Sequence, residues 1–432
     1  MTTIPVPEDS EVVKRIYASY KARGDAEPPR SYLGASIIGH SCERYLWYTF
    51  RGCVSERFEG RMIRLFETGD EEEIRFVRDL RSIGVKVHDR DFAGDQFAVS
   101  ALGGHCSGHM DGCALGIPEA PATWHVIEFK THNDKSFAKL KKDGVEKAKP
   151  QHYAQMQIYM GLTKMTRALY LAKNKNDDSL YSARVRFDKS AFDALMSRAE
   201  RIIFCNSLPE RISEREDYYE CGWCAAHKLC WGCKESSLPI ASRNCRQCCH
   251  ATPELDGVAR WSCAKHRRSL SESDQSQACS EHLCLPGLVT GWEPSDASND
   301  WIEFRNDEGK TWLHGKIGGG FSALELMTLP FDKLLNPLLA TAKETLAAVA
   351  AGCSDDILSR YSEDHCNIAW TGPKENFLQE WRNLYAESYD HGKSIQTCCN
   401  LDYIAAEFPN AVVVIEWKNK INTMEIRELI PF

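Results

Sequence analysis

The 432 residues are 43 % hydrophobic and 26 % charged, enough sequence and apolar content for two or three globular domains. A net charge of -8 excludes a protein that coats nucleic acid uniformly, while leaving room for an enzyme with a local basic track. No apolar run is long enough to cross a bilayer and no signal peptide is present, so the nineteen cysteines are expected to be reduced thiols in the cytoplasm.

Residues 1 to about 30 are polar and partly helical in pattern, and a lone Cys42 follows in SIIGHSCERYLWYTF. From Glu56 to about Ile83 the pattern is helical, with an acidic stretch from Asp70 to Glu73 after Phe66-Glu-Thr-Gly69. Such charge is favourable at a helix N-terminus. Residues 85 to 187 read as a sheet with a crossing helix. Asp111 belongs to HCSGHMDGCAL, which reads as one strand. Thr123 to Thr131, TWHVIEFKT, is β-branched and aromatic and lies between Pro121 and Asn133-Asp134, so it reads as a buried strand.

Alternation places Glu128 and Lys130 on one face of that strand, with Ile127 and Phe129 on the other. An acid and a base side by side on a central strand are costly to bury unless they serve each other or a metal. An antiparallel neighbour would bring Asp111 beside Glu128. Lys135, Lys139, Lys141, Lys142, Lys147 and Lys149 follow, as a phosphate-neutralising track or a solvated loop. Pro150 then opens PQHYAQMQIYMGL at helical spacing, with Gln155 and Tyr159 on one face.

A helix over about 189 to 206 leads to Cys221-x2-Cys224-x5-Cys230-x2-Cys233, a set that by itself could take zinc. Next come Cys245-x2-Cys248-Cys249-His250, Cys263-x2-His266 and Cys279-x2-His282 with Cys284. These resemble a zinc ribbon or related zinc module with ligands from separate knuckles, expected to be Cys245, Cys248, Cys263 and one of Cys279 or His282. So many cysteines among so few apolar residues could not otherwise make a core. Residues 287 to 432 mix strands such as DWIEFRND with helical stretches such as PFDKLLNPLLATAKETLAAVAA and carry no catalytic constellation. Glu416-Trp-Lys418 repeats part of the earlier pattern without a Gln-x-x-x-Tyr pair after it, and is expected to be an ordinary strand. There is no G-x-x-x-x-G-K-[ST] phosphate loop, hence no helicase motif.

Asp111, then Glu128-Phe-Lys130 on a strand, then Gln155-x-x-x-Tyr159 on a helix resembles the PD-(D/E)XK nuclease superfamily. The glutamine-tyrosine helix narrows the resemblance to the RecB-like branch, over roughly residues 30 to 235. It implies an α/β fold with a restriction-endonuclease-like core, a mixed central sheet flanked by helices, joined to cysteine-rich metal modules and an α+β C-terminal domain. The domains would span 1–235, 240–286 and 287–432.

By the same resemblance Asp111, Glu128 and the Phe129 carbonyl would hold Mg2+ or Mn2+. Lys130 would orient the water or stabilise the transition state, Gln155 would position Lys130 or a phosphate, and Tyr159 would pack beneath the site or touch DNA. Asp70 stands where RecB-like nucleases often carry a histidine ligand, which makes it a candidate ligand, with Glu73 one turn on as the other. An early cysteine plus a late C-x2-C-x5-C is the arrangement of the iron-sulfur RecB-like nucleases, including AddB and the nuclease of CRISPR adaptation. Cys42, Cys221, Cys224 and Cys230 would then hold a 4Fe-4S cluster, with zinc at Cys221 to Cys233 the alternative. The implied activity is metal-dependent DNA hydrolysis, as an exonuclease on ends or single strands in recombination, repair or phage DNA metabolism. DNA would follow Lys135, Lys139, Lys141 and Lys142, with a helicase or recombination protein as partner and no membrane. The compartment would be the host cytoplasm if the chain is phage-encoded. A structure-selective endonuclease and a non-catalytic nucleic-acid-binding or assembly protein are the alternatives.

Overall fold

A computed structural model of the chain describes residues 10–28, 30–54, 57–232, 244–317 and 320–328, together with the backbone of five strands between 367 and 431. Cys233 and the helical pattern over 330–351 lie outside the described residues. The architecture is mixed α/β, with sheets flanked by helices. It divides into two units, 1–227 with 244–277 and 228–243 with 278–432.

The first unit runs through α1 (Glu11–Ala26), β1 (Leu33–Gly34), α2 (Glu43–Phe50), α3 (Gly60–Ser82), β2 (Lys86–His88), β3 (Phe97–Ala101), β4 (Cys106–Met110) and β5 (Gly112–Leu115). It continues with β6 (His125–His132), α4 (Asp134–Ala148), α5 (Pro150–Thr163), β7 (Arg167–Asn174), β8 (Leu180–Arg186) and α6 (Lys189–Phe204). The main sheet has the order β2-β5-β6-β7-β8 and is antiparallel except for its β6–β7 pair. Parallel neighbours need a crossover, and α4 and α5 supply it. Asn133 caps α4 by accepting from Ser136 N–H at 2.9 Å, and Pro150 starts α5 where a missing N–H costs nothing.

Alternation along β6 holds as the sequence suggests. Ile127 and Phe129 join a core with Phe76, Val77 and Leu80 of α3 and with Leu169 and Leu171 of β7. The Phe76 and Phe129 rings stack at 5.0 Å between centroids. Glu72 of α3 takes an ion pair from Lys173 of β7 at 2.7 Å, which fixes the rotation of the helix over the sheet.

Two expectations are corrected. HCSGHMDGCAL is not one strand: it bends at Asp111, with β4 in a small β1-β4-β3 sheet and β5 in the main sheet. Gly112 makes the bend possible, since its φ is +141° and a Cβ there would lie 2.4 Å from the His88 carbonyl oxygen. Asp70 to Glu73 do not start a helix either. They lie inside the 23-residue α3, which continues straight through Gly69.

The first unit ends with β9 (Ala251–Pro253), β10 (Trp261–Cys263) and β11 (Arg268–Leu270), an antiparallel sheet. The second unit holds a three-stranded meander, β12 (Glu293–Ala297), β13 (Trp301–Arg305) and β14 (Thr311–Gly315). It also holds β15 (Asn367–Ala369), β16 (Gln396–Cys399), β17 (Tyr403–Phe408), β18 (Ala411–Lys418) and β19 (Thr423–Pro431), ordered β15-β19-β18-β17-β16. Glu416 and Lys418 lie on β18, between two antiparallel neighbours, as an ordinary strand. Among the described residues no helix is long and apolar enough to cross a membrane.

Candidate active site

Because the chain turns at Asp111, that side chain is presented beside the middle of β6. Asp111 Oδ2 accepts the Phe129 N–H at 2.6 Å. Glu128 is completely buried and forms an ion pair through Oε1 with Lys130 Nζ, while its Oε2 receives no donor. Lys130 Nζ also donates to the Phe129 carbonyl at 3.0 Å. An ammonium thus sits between two of the oxygen donors assigned from sequence to a metal ion.

Gln155 and Tyr159 share a face of α5, as their spacing requires, but they serve each other. Gln155 Nε2 donates to Tyr159 Oη at 3.1 Å, and Tyr159 Oη donates to the His109 carbonyl of β4 at 2.8 Å. Tyr159 is buried and packs beneath the site. Gly108 lets it do so, because a Cβ on that residue would come within 2.8 Å of Tyr159 Oη.

Electrostatics add Glu73 to the group. Burial and then Asp111 push its carboxyl up to about 7, with Lys130 offsetting only part. Glu73 follows Glu72, which Lys173 has claimed, so the next position around the helix turns toward Asp111. Burial likewise raises Asp111 and Glu128, although Lys130 pulls both down. Burial alone would lower the Lys130 ammonium, but Glu128 and Asp111 outweigh it and hold the charge. Asp70 is exposed, yet it raises both Asp111 and Glu73.

Three carboxylates therefore gather around Lys130, with Arg90 acting on Glu73 alone. The raised carboxyl groups, and a buried Glu128 that has only the Lys130 ion pair and no further donor, mark a site short of positive charge, and hard oxygen donors of this kind fit Mg2+ or Mn2+. As the side chains stand, no three His, Cys, Asp or Glu among the described residues are arranged to hold a metal ion. A metal ion held by Glu128 would compete with Lys130 for its carboxylate.

The lysines expected to meet DNA, Lys135, Lys139, Lys141 and Lys142, are all exposed on α4. The sequence reading passed over His132, His152 and Tyr170, which lie on the same side of the sheet as Lys130. The signal was there in the alternation of β6 and in the three-residue step from His152 to Gln155.

The cysteines expected to bind metal fall in two places within the first unit. Cys42 caps α2 by accepting from Tyr45 N–H, and Ser41 Oγ donates to Glu220 Oε2, which brings the residues before Cys42 and before Cys221 into contact. Cys224 lies in the same unit, whereas Cys230 belongs to the second. Cys245 and Cys248 flank a single helical turn, and Cys263 sits opposite Ala251, whose N–H reaches the Cys248 carbonyl at 3.1 Å. The Arg268 guanidinium is held up mainly by Asp274, with Cys263 and Cys245 adding to it. Cys279 and His282 belong to the second unit.

No family model matches the chain, and no curated protein matches it. Among solved structures it is similar to an alkaline exonuclease, LHK-Exo, from Laribacter hongkongensis, at 15 % identity over 44 % of this chain and 90 % of that one, with a TM-score of 0.30. The same exonuclease in complex with dAMP gives 14 % identity, the same two coverages and a TM-score of 0.29. A protein described as SSO0001 gives 13 % identity over 51 % of this chain and 97 % of that one, with a TM-score of 0.30. At TM-scores of this size, what the site does has to be argued from its own geometry.

Proposed function

We propose that the chain is a metal-dependent DNA nuclease with a PD-(D/E)XK core of the RecB-like type, acting as an exonuclease on DNA ends or single strands. The observation that carries this reading is the convergence of Asp111, Glu128 and Lys130 from a bend and a central strand, with Glu73 beside them. Asp111, Glu128, Glu73 and the Phe129 carbonyl would hold Mg2+ or Mn2+, and Asp70 would add charge from outside. Such an ion, when bound, polarises a phosphodiester and makes a water more acidic.

The chain's own groups do the rest. Lys130, freed from Glu128, presents a fixed positive charge to the non-bridging phosphate oxygens and donates to the attacking water. Tyr159 and Gln155 hold β4, and with it Asp111, at the height of Glu128. The exposed lysines of α4 carry the approaching strand. Cys42, Cys221 and Cys224 are proposed as ligands of a 4Fe-4S cluster, supported by the Ser41–Glu220 contact, and Cys245, Cys248 and Cys263 as zinc ligands. Both imply a reducing compartment, and a helicase or recombination protein would deliver the DNA end.

A non-catalytic nucleic-acid-binding protein is the second reading, favoured by Asp70, which is exposed where the relatives implied by the motif carry a histidine. Cleavage of end-labelled linear duplex, single-stranded and closed-circular DNA with Mg2+ or Mn2+ separates the two. Stepwise loss from linear DNA that disappears in Lys130→Ala is the expected result. Cut circles would move the assignment to an endonuclease, and silence on every substrate with binding intact would favour the second reading.

A further inference from the structure

A hydrogen-bonded chain runs beside Lys130 and plays no part in the chemistry above. His132 shares a face of β6 with Glu128 and Lys130, and Tyr170 of β7 is the register partner of Glu128. His132 Nε2 and His152 Nδ1 each lie 2.9 Å from Tyr170 Oη. The three rings are close to parallel, with interplanar angles of 26° and 27°. On the far side His132 Nδ1 lies 3.1 Å from Ser136 Oγ, which accepts from Lys149 Nζ.

The donors and acceptors admit one continuous direction for this chain. An ammonium only donates, so Ser136 Oγ accepts from Lys149 and keeps its own proton to give to His132 Nδ1. With that assignment His132 carries its proton on Nε2 and donates to Tyr170 Oη. The Tyr170 hydroxyl proton goes in turn to His152 Nδ1. His152 is left as the Nε2–H tautomer, and that N–H meets no acceptor among the described residues. Burial and the surrounding lysines push both imidazoles down, His132 to about 4, so both are neutral at working pH. A neutral imidazole beside Lys130 offers a directional donor without adding a second charge that Lys130 would repel.

We propose that His152 contacts the substrate, its Nε2–H donating to a backbone phosphate oxygen of the DNA strand that passes Lys130, and that Lys149, Ser136, His132 and Tyr170 hold it in the tautomer able to do so. This rests on the nuclease reading for the identity of the ligand. The test is anisotropy of a fluorescent single-stranded oligonucleotide with the full chain, without divalent metal. His152→Ala should weaken binding about tenfold, and His152→Gln, whose amide still donates, by no more than about threefold. Tyr170→Phe keeps the ring and should also weaken binding, with nitrogen-15 NMR showing His152 as Nε2–H in the wild type and as a tautomer mixture in the variant. Wild-type binding by His152→Ala, an Nδ1–H tautomer in the wild type, or no binding by the wild type overturns the inference. Binding that depends on His152 without cleavage under any metal overturns the nuclease reading alone.

Discussion

Glu73 is where the charge imbalance of the site becomes measurable. Burial and the neighbouring Asp111 raise its carboxyl from an ordinary 4.5 to about 7 in the folded chain. Below pH 4.5 the group is protonated in both folded and unfolded states and contributes nothing. Between about 4.5 and 7 the unfolded carboxyl ionises first, so stability falls as pH rises and then levels off. Glu73→Gln lacks this penalty. Its melting temperature, measured in a chelator, should match the wild type near pH 4.5 and exceed it at pH 8 by about 3 °C or more. Equal melting curves at pH 8 would take Glu73 out of the acidic group. Millimolar Mn2+ should raise the wild-type melting temperature, because it binds only the folded site. Glu128→Gln should lose most of that rise, and a full Mn2+ shift in the variant would argue that the ion binds elsewhere.

At the scale of elements, the sequence reveals those parts of the site that repeat with a regular period. β6 and α5 were legible because alternation and the i, i+4 step are read directly from residue types, and Glu128, Lys130, Gln155 and Tyr159 occur on them as expected. The break at Asp111 was not legible, because it depends on how closely β2 approaches Gly112, a contact from outside the segment. Nor was the approach of Glu73 to Asp111, on a helix that the Glu72–Lys173 ion pair ties to β7. Gln155 was assigned to Lys130 or a phosphate by resemblance, while the partner it meets on its own helix face is Tyr159. Gly112→Ala puts a side chain at positive φ against the His88 carbonyl and should cost about 2 kcal/mol or more in denaturant unfolding. Tyr159→Phe removes the donor to His109 and should cost about 1 to 2 kcal/mol. Because β4 carries Asp111, this variant should also slow cleavage; unchanged cleavage would limit Tyr159 to packing.

At the scale of the whole molecule, the question is what ties the amino-terminal segment to the residues that follow α6. Ser41 and Glu220 meet although they are 179 positions apart, and Arg198 reinforces the junction by donating to the carbonyls of Ile38 at 3.0 Å and His40 at 2.6 Å. A few hydrogen bonds are a weak closure for so long a loop, since each nets about 1 kcal/mol. A covalent or metal link there would lower the entropy of the unfolded chain by about 5 kcal/mol in chain-entropy terms. Cys42 and Cys221 directly follow the two residues in contact, where a staple would act most strongly. If a 4Fe-4S cluster uses them, anaerobically purified protein should be brown, and Cys42→Ser should lose the visible absorbance and melt at a lower temperature. Cys248→Ser should instead lower zinc content and leave the colour intact, because its knuckle is built around β9 and β10. A colourless protein whose zinc content is the same in wild type and Cys42→Ser would place the metal on the later cysteines alone, leaving the Arg198 and Ser41 contacts to close the loop by themselves.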